Sequence, residues 1–366
     1  MPVSILPKEN GIRTLIICLV VYAFLVMAFA VTYGYHISPE PEPEGYKAYF
    51  DKWNWFPYPI FFLVLGAIVQ MTWEPFQRAW YRSAEVTPSV IVSKQGTPLS
   101  TAEAADIIRH INKLRVLAII IAIALGFFWG VFDGAQTRTI YFSQSFAEQL
   151  QLANVAPDFT VKWIYSAPES PNDLAAQAPW HQIAFYMMLE IEQAFLIGLG
   201  FFVLLQVLLQ ATVFACLDKL NIVGKSFTPQ LIYNSASRDF GLGAWNRAID
   251  MFYWVISFGL VIAVISRFSQ PSGDPDTGQV MGQWALGALL ALPFLVTIAG
   301  RIRMIRKLDR YLEKHGSEED WEARNNQNGW PMDPKRMQKV GFLICMALYT
   351  VFAGKDVATL VKSLIG

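Results

Sequence analysis

The sequence comprises 366 residues, of which 54% are hydrophobic, 14% are aromatic and only 16% are charged. Because soluble domains carry about 25% charged residues, this composition argues against a soluble globular protein and indicates a membrane protein. The formal net charge at pH 7 is zero, so the distribution of charge along the chain is more informative than its total. We expect the lipid bilayer to be a partner and nucleic acid not to be one.

Transmembrane helices are recognised in a sequence as windows of about 20 apolar residues without charge. Six such windows are clear, and a seventh, near residues 339–360, is shorter. We therefore predict an all-α fold, a polytopic transmembrane helix bundle of about seven spans that forms one integral membrane domain over residues 1–366. The six clear windows lie near residues 14–35, 56–73, 115–133, 183–217, 249–268 and 282–300.

The seventh segment has two interpretations. Its uncharged run ends before Lys355 and is too short to cross a hydrocarbon core of about 30 Å unless the helix continues beyond it. We favour a crossing helix, because Lys335, Arg336 and Lys339 form a basic anchor directly before the apolar run. The alternative is a hairpin or interfacial helix that does not cross and leaves Gly366 inside.

The basic residues are divided unequally between alternate segments of the chain. Twenty-two Lys and Arg fall in the N-terminal tail and in residues 74–115, 217–249 and 300–339, against five in the alternate loops. Since cytoplasmic loops carry the excess of Lys and Arg, we predict a cytoplasmic N-terminus. The predicted outer loops are residues 36–55, 134–182 and 266–282, and the predicted cytoplasmic segments are a loop with a helix at 74–114, a loop at 218–248 and a basic segment at 301–338.

The N-terminus resembles a secretory signal, because Lys8 and Arg13 precede an apolar run that contains Ala28-Phe29-Ala30. We expect this segment to be retained as a signal anchor. The sequence contains no Asn-x-Ser/Thr glycosylation acceptor, which is consistent with a bacterial protein of the inner (plasma) membrane.

Two helices are predicted to extend from spans into the cytoplasm. Ser100 and Glu103 have the spacing of a capping box, so a helix is expected to begin near Thr101 and to continue into the third span. The segment RIRMIRKLDRYLEKHG should carry the sixth span about three turns further and end at Gly316.

Basic side chains in these cytoplasmic segments could have one of two roles. They could anchor the topology at an anionic surface, or they could dock a partner protein or an acidic lipid. A second segment with a distinctive pattern of charge and glycine, residues 234–252, could be a plain helix start or a defined surface for a partner. The candidate contacts are Arg301, Arg303, Arg306, Lys307 and Arg310 of the basic segment, with Arg238 and Arg247 of the other.

Two cytoplasmic loops share a short sequence echo. Thr87-Pro88-Ser89-Val90-Ile91 follows the second span, and Thr228-Pro229-Gln230-Leu231-Ile232 follows the fourth. A parallel repeat of a helical hairpin unit, as occurs in some transporters, would explain the echo, but a five-residue resemblance in a chain of this length is more often due to chance.

No residue pattern indicates catalysis, a cofactor or a metal. The four histidines, His36, His110, His181 and His315, do not fall in the middle of a predicted span, as haem ligands would. Phosphate-binding, zinc-protease and nucleophile-elbow motifs are missing. The cysteines lack a paired spacing and are interpreted as packing residues; they are Cys18, Cys216 and Cys345.

The fourth span carries a polar stripe. At 100° per residue, Glu192 and Gln210 project from the same line of the helix, and Gln206 lies about 40° from that line. These side chains could join helices by hydrogen bonds, or line one wall of a neutral pore. We favour the first role, because Gly198 and Gly200 would allow a neighbouring helix to approach closely.

The sequence thus favours a non-catalytic integral membrane subunit or interaction protein, which assembles through its helices and its basic cytoplasmic loops as a homo-oligomer or with other membrane proteins. The alternative is a channel or transporter with a path along the fourth span.

The predicted orientation can be tested by labelling intact cells with a membrane-impermeant thiol reagent. In a background in which Cys18, Cys216 and Cys345 are serine, the variants E42C and D274C should react from outside, and K94C and E318C should react only after permeabilisation. The opposite pattern would reverse the orientation.

Overall fold

The computed structural model describes residues 10–36, 49, 58–85, 89–137, 180–222, 224–231, 239–255, 257, 277–327, 330, 331, 333, 335, 338 and 341. Most of these residues are helical. Three predicted segments lie almost entirely outside the described residues: the loops 36–55 and 134–182 and the seventh segment 339–360. The loop 266–282 lies largely outside them, and the fifth span, 249–268, lies outside them beyond residue 257.

Six helices and three strands make up the described fold. The helices are α1 (Asn10–Thr32), α2 (Tyr58–Glu85), α3 (Thr101–Thr137), α4 (Trp180–Ala215), α5 (Thr277–His315) and α6 (Glu318–Asn326). The strands are β1 (Ile91–Ser93), β2 (Leu220–Ile222) and β3 (Lys225–Pro229), and a short 3₁₀-helix, Leu242–Trp245, leads into helical residues 246–255.

Four of the described helices are long and apolar enough to cross a membrane: Gly11–Thr32, Tyr58–Glu85, Thr101–Phe128 and Met187–Ala215. In α1 large apolar side chains point outward, with Ile17 62% exposed and Leu25 60% exposed. Soluble proteins rarely expose continuous apolar surface of this kind, whereas a helix in lipid is expected to. These helices indicate a membrane-embedded protein.

The ends of two helices follow directly from the sequence. At the start of α3, the Glu103 amide donates to Ser100 Oγ at 3.2 Å, and the Ser100 amide donates to Glu103 Oε2 at 3.0 Å. This reciprocal pair is the capping box that the spacing predicts, and the expected helix start is confirmed. The expected end at Gly316 is also confirmed, because α5 continues to His315.

A three-stranded antiparallel sheet, in the order β1-β3-β2, corrects the expectation of an all-α fold. It lies within two segments that were predicted to be cytoplasmic loops. In the β2–β3 hairpin Ile222 pairs with Lys225, and Gly224 supplies the positive φ of 72° that the tight turn requires. Strands of three to five residues give too short an alternation to be distinguished from a loop in sequence.

This sheet brings together the two segments that echo one another in sequence. Ile91 pairs with Pro229 and Val92 pairs with Thr228 in an antiparallel register, and the Gln230 amide donates to the Val90 carbonyl. The echo therefore coincides with one shared structural element, and the repeat that it suggested stays a hypothesis.

The chain divides into two compact units, one of residues 1–67 and 118–203 and the other of residues 68–117 and 204–366. In the first unit α3 and α4 approach closely at glycine. A Cβ added to Gly126 would lie 2.7 Å from the Cα of Gly198, and one added to Gly198 would lie 3.0 Å from the Cα of Ile123. Only hydrogen at these positions permits so close an approach of two helices.

The second unit has an aromatic core centred on Trp245 of the 3₁₀-helix. The Trp245 ring is 5.2 Å from the ring of Trp80, 5.9 Å from that of Phe76 and 5.7 Å from that of Phe214, between ring centroids. Buried aromatic pairs at these distances stabilise beyond their buried area. The loop around Trp245 is thereby fixed to α2 and α4.

The close approach of α3 and α4 predicts opposite effects for two glycine substitutions. G126A should lower the midpoint of thermal unfolding in detergent, because its Cβ would overlap the backbone of α4. G200A should leave the midpoint unchanged or raise it, because no atom lies within 4 Å of a Cβ there and alanine is favoured over glycine in a helix by about 1 kcal/mol. Equal behaviour of the two variants would contradict the packing.

Candidate functional site: buried polar groups and a basic helix

The three polar side chains predicted to form the stripe of α4 are all fully buried. Glu192, Gln206 and Gln210 each have an exposed fraction of 0%. Glu192 belongs to the first unit, and the two glutamines belong to the second, so each environment is described within its own unit. In both cases protein atoms surround the polar group.

Gln206 makes hydrogen bonds with both ends of its amide. Its Nε2 donates to the Val69 carbonyl at 2.9 Å and to Thr72 Oγ1 at 2.5 Å, both on α2. Its Oε1 accepts from Nε of Arg115 on α3 at 2.5 Å. One side chain of α4 therefore joins two neighbouring helices, which is the role that the sequence analysis preferred for it.

Arg115 is the residue of this cluster that the sequence analysis missed. It was counted as a basic charge at the edge of the third span, yet its exposed fraction is 0% and it lies inside α3. Its guanidinium carbon is 4.3 Å from the centre of the Trp73 ring, a distance at which a cation is attracted to the face of the ring. Arg115 therefore joins Gln206 and Gln210 as a buried, strongly polar group, and the polar stripe of α4 did not predict it.

Gln210 is held more weakly than Gln206. Its Nε2 is 3.5 Å from the Thr72 carbonyl, at the limit for a hydrogen bond. Its Oε1 has no hydrogen-bond partner among the residues that the structure describes. The two glutamines, four residues apart on one helix, thus differ strongly in the number of contacts that each would lose on substitution.

In the first unit Glu192 meets a tyrosine from a distant part of the chain. The Tyr49 hydroxyl is 3.2 Å from Glu192 Oε1 and 3.1 Å from the Ala23 carbonyl of α1. Burial raises the pKa of the Tyr49 phenol above its ordinary value, so the hydroxyl keeps its proton and acts as the donor. Tyr22 on α1 donates to the Met188 carbonyl of α4 at 3.0 Å.

The beginning of α4 carries a second tyrosine contact in the same unit. The Tyr35 hydroxyl is 2.7 Å from Nδ1 of His181, and the Tyr33 ring stacks on the His181 ring with 4.7 Å between centroids. Among the described residues, four tyrosine hydroxyls therefore contact α4: those of Tyr22, Tyr35 and Tyr49, and that of Tyr58, which accepts from Gln193 at 3.0 Å.

Several cations of the basic segment are engaged within the chain. Arg303 donates to the Ala215 carbonyl at the end of α4, and its Nη1 is 3.5 Å from Asp218 Oδ1. Lys307 Nζ is 3.1 Å from Asp218 Oδ2. Cations at a helix C-terminus satisfy its last carbonyls and complement its dipole, so these two residues stabilise the junction of α5 with α4.

The chain after α5 folds back along this helix. Arg301 donates to the Pro331 carbonyl at 3.2 Å and to the Gln327 side chain. Arg324 of α6 is bonded to both carboxylate oxygens of Asp309, at 2.7 and 3.0 Å. The basic segment is therefore a folded structure with its own ion pairs.

The remaining candidate cations differ in their surroundings. Arg306 and Arg310 of α5 are exposed, and Arg247 is exposed beyond the 3₁₀-helix. Arg238 lies outside the described residues. Lys314, which the sequence analysis did not single out, is also exposed and continues the line of Arg306 and Arg310 at intervals of four residues.

The comparisons with known proteins add nothing to this geometry, because the chain matches no protein-family model, no curated protein and no solved structure.

The unequal bonding of the two glutamines predicts unequal effects of the same substitution. Q206L should destabilise the folded protein by about 2–3 kcal/mol, because it removes an acceptor from a buried cation and donors from two buried oxygens. Q210L should cost less, since it removes one long hydrogen bond. Thermal and denaturant unfolding in detergent measures both.

A double variant tests whether Arg115 and Gln206 act as a pair. R115M/Q206L should be less destabilised than the sum of the two single variants, because the second substitution removes a group that the first has already deprived of its partner. Additive effects, or equal losses in Q206L and Q210L, would contradict the cluster.

Proposed function

We propose that the chain is a non-catalytic integral membrane protein that serves as a subunit or interaction protein. In this proposal it crosses the bacterial inner membrane about seven times, with its N-terminus in the cytoplasm, and assembles through its helices and its basic cytoplasmic face. The division of basic residues along the sequence supports the orientation, and the four apolar helices support the membrane location.

The observation that carries the proposal is the line of exposed cations on α5. Arg301, Arg303 and Lys307 are engaged within the chain, whereas Arg306, Arg310 and Lys314 point to solvent. Three arginine and lysine side chains at intervals of four residues form a basic stripe on one face of the helix. An acidic surface of another copy of the chain, or of another membrane-associated protein, would complement this stripe.

The burial of the polar stripe of α4 supports the same proposal. A water-filled path should leave polar side chains accessible to water, but Gln206 and Gln210 have no exposed surface and Gln206 is bonded to α2 and α3. Polar groups used in this way join helices. A path for a transported species along the fourth span has no comparable observation in its favour.

The basic stripe can be tested by reversing its charge. R306E/R310E should lower the association constant about tenfold, which corresponds to about 1.4 kcal/mol, because like charges would face each other across the contact. Native mass spectrometry of complexes released from their own membranes measures the assembled fraction.

R82E is the matched control for this experiment, because Arg82 is an exposed cation at the end of α2 away from the stripe. It should leave assembly unchanged. Monomers in the wild type, or equal assembly in wild type and R306E/R310E, would contradict the proposal.

A further inference from the structure

Among the described residues, no cation compensates the buried carboxyl of Glu192. Its exposed fraction is 0%, it lies within a helix apolar enough to span a membrane, and it forms no ion pair with any residue of the described structure. Its Oε1 accepts from the Tyr49 hydroxyl, while its Oε2 has no hydrogen-bond partner among the described residues. A carboxylate in this position would hold a full negative charge against a single neutral donor.

Within the part of the chain that the structure describes, the titratable groups that face Glu192 from the elements packed around it are neutral tyrosines. Tyr22 comes from α1, and Tyr49 comes from the segment after α1, with the Tyr58 ring of α2 5.6 Å from the Tyr49 ring. On α4 itself, Glu190 lies two residues away, about 160° around the helix, and Gln193 donates to the Tyr58 hydroxyl at 3.0 Å. None of these groups can balance the charge of a carboxylate.

We propose that Glu192 is a proton-binding site. A buried ion without a partner is strongly unfavourable, and a carboxyl group avoids this state by binding a proton. A hydronium ion of the aqueous solvent transfers the proton, so that one O–H bond breaks on hydronium, one forms on the carboxylate and water is released. The neutral acid remains packed between α1, α4 and Tyr49. Release of the proton leaves a charge among these elements and weakens their contact, so proton binding at Glu192 is linked to the packing of α1 on α4. This inference goes beyond the assembly function and does not depend on it.

Infrared difference spectroscopy of the protein in lipid nanodiscs tests the proposal directly. At neutral pH, the spectrum of the wild type minus that of E192Q should contain the carbonyl stretch of a protonated carboxyl, and this band should disappear as the pH is raised. The matched control E190Q should retain the band. A difference spectrum that contains only carboxylate bands at neutral pH would overturn the proposal.

The pH dependence of stability provides a second readout. The folded protein holds a proton that the unfolded chain releases, so the ratio of folded to unfolded wild type should fall with rising pH, by up to about tenfold per pH unit for one proton. E192Q should lose this component, and E190Q should keep it. Parallel curves for wild type and E192Q would overturn the proposal. Loss of folding in E192Q but not in E190Q would do the same, because the amide is the neutral analogue of the protonated acid.

Discussion

The hydrogen bond between Arg115 and Gln206 sets the register of the helices in the second unit. A guanidinium remains charged under all ordinary conditions, so a buried arginine must be stabilised by acceptors and by polarisable groups. Gln206 supplies an amide oxygen at 2.5 Å, and Trp73 supplies the face of its indole. The amide nitrogen of Gln206 then finds its own acceptors on Val69 and Thr72. Because Arg115 Nε and both ends of the Gln206 amide have specific partners, sliding α2, α3 or α4 by one turn would leave these buried polar groups unsatisfied. The apolar side chains alone would impose no such penalty.

Glu192 shows the other way in which an apolar helix can accommodate an ionisable group. It is on the same helix as Gln206 and is equally buried, but it has one tyrosine as its donor. A carboxyl can become neutral by binding a proton, a route that arginine lacks. This chemical difference matches the difference in their surroundings: Arg115 lies against an amide oxygen and the face of an indole, whereas Glu192 has one neutral donor among the described residues.

Sequence patterns predicted the features that depend on residues close to one another in the sequence. The capping pair of Ser100 and Glu103 located the start of α3, and helical periodicity identified the polar line of α4. The partners of that line were not predictable, because Arg115 is 91 residues from Gln206 and Tyr49 is 143 residues from Glu192. Periodicity tells which side of a helix is polar, but not which residue meets it. Arg115 was interpreted as an interfacial cation, because it stands directly before the apolar run of the third span. The sheet was not predicted, because its strands are too short to show an alternation of apolar and polar residues.

The basic segment shows why a count of charges predicts topology better than it predicts binding. The rule for membrane orientation depends on the number of Lys and Arg in a loop, and a cation contributes to it whether or not it forms an ion pair after folding. Binding depends on the cations that stay exposed. In α5 the side of the helix that carries Arg303 and Lys307 meets Asp218 and the end of α4, so these charges are used within the chain. Arg306, Arg310 and Lys314 stay exposed on the same helix. The fold thus divides the cations of α5 into those that are paired within the chain and those that are exposed, and only the exposed cations are available to another molecule.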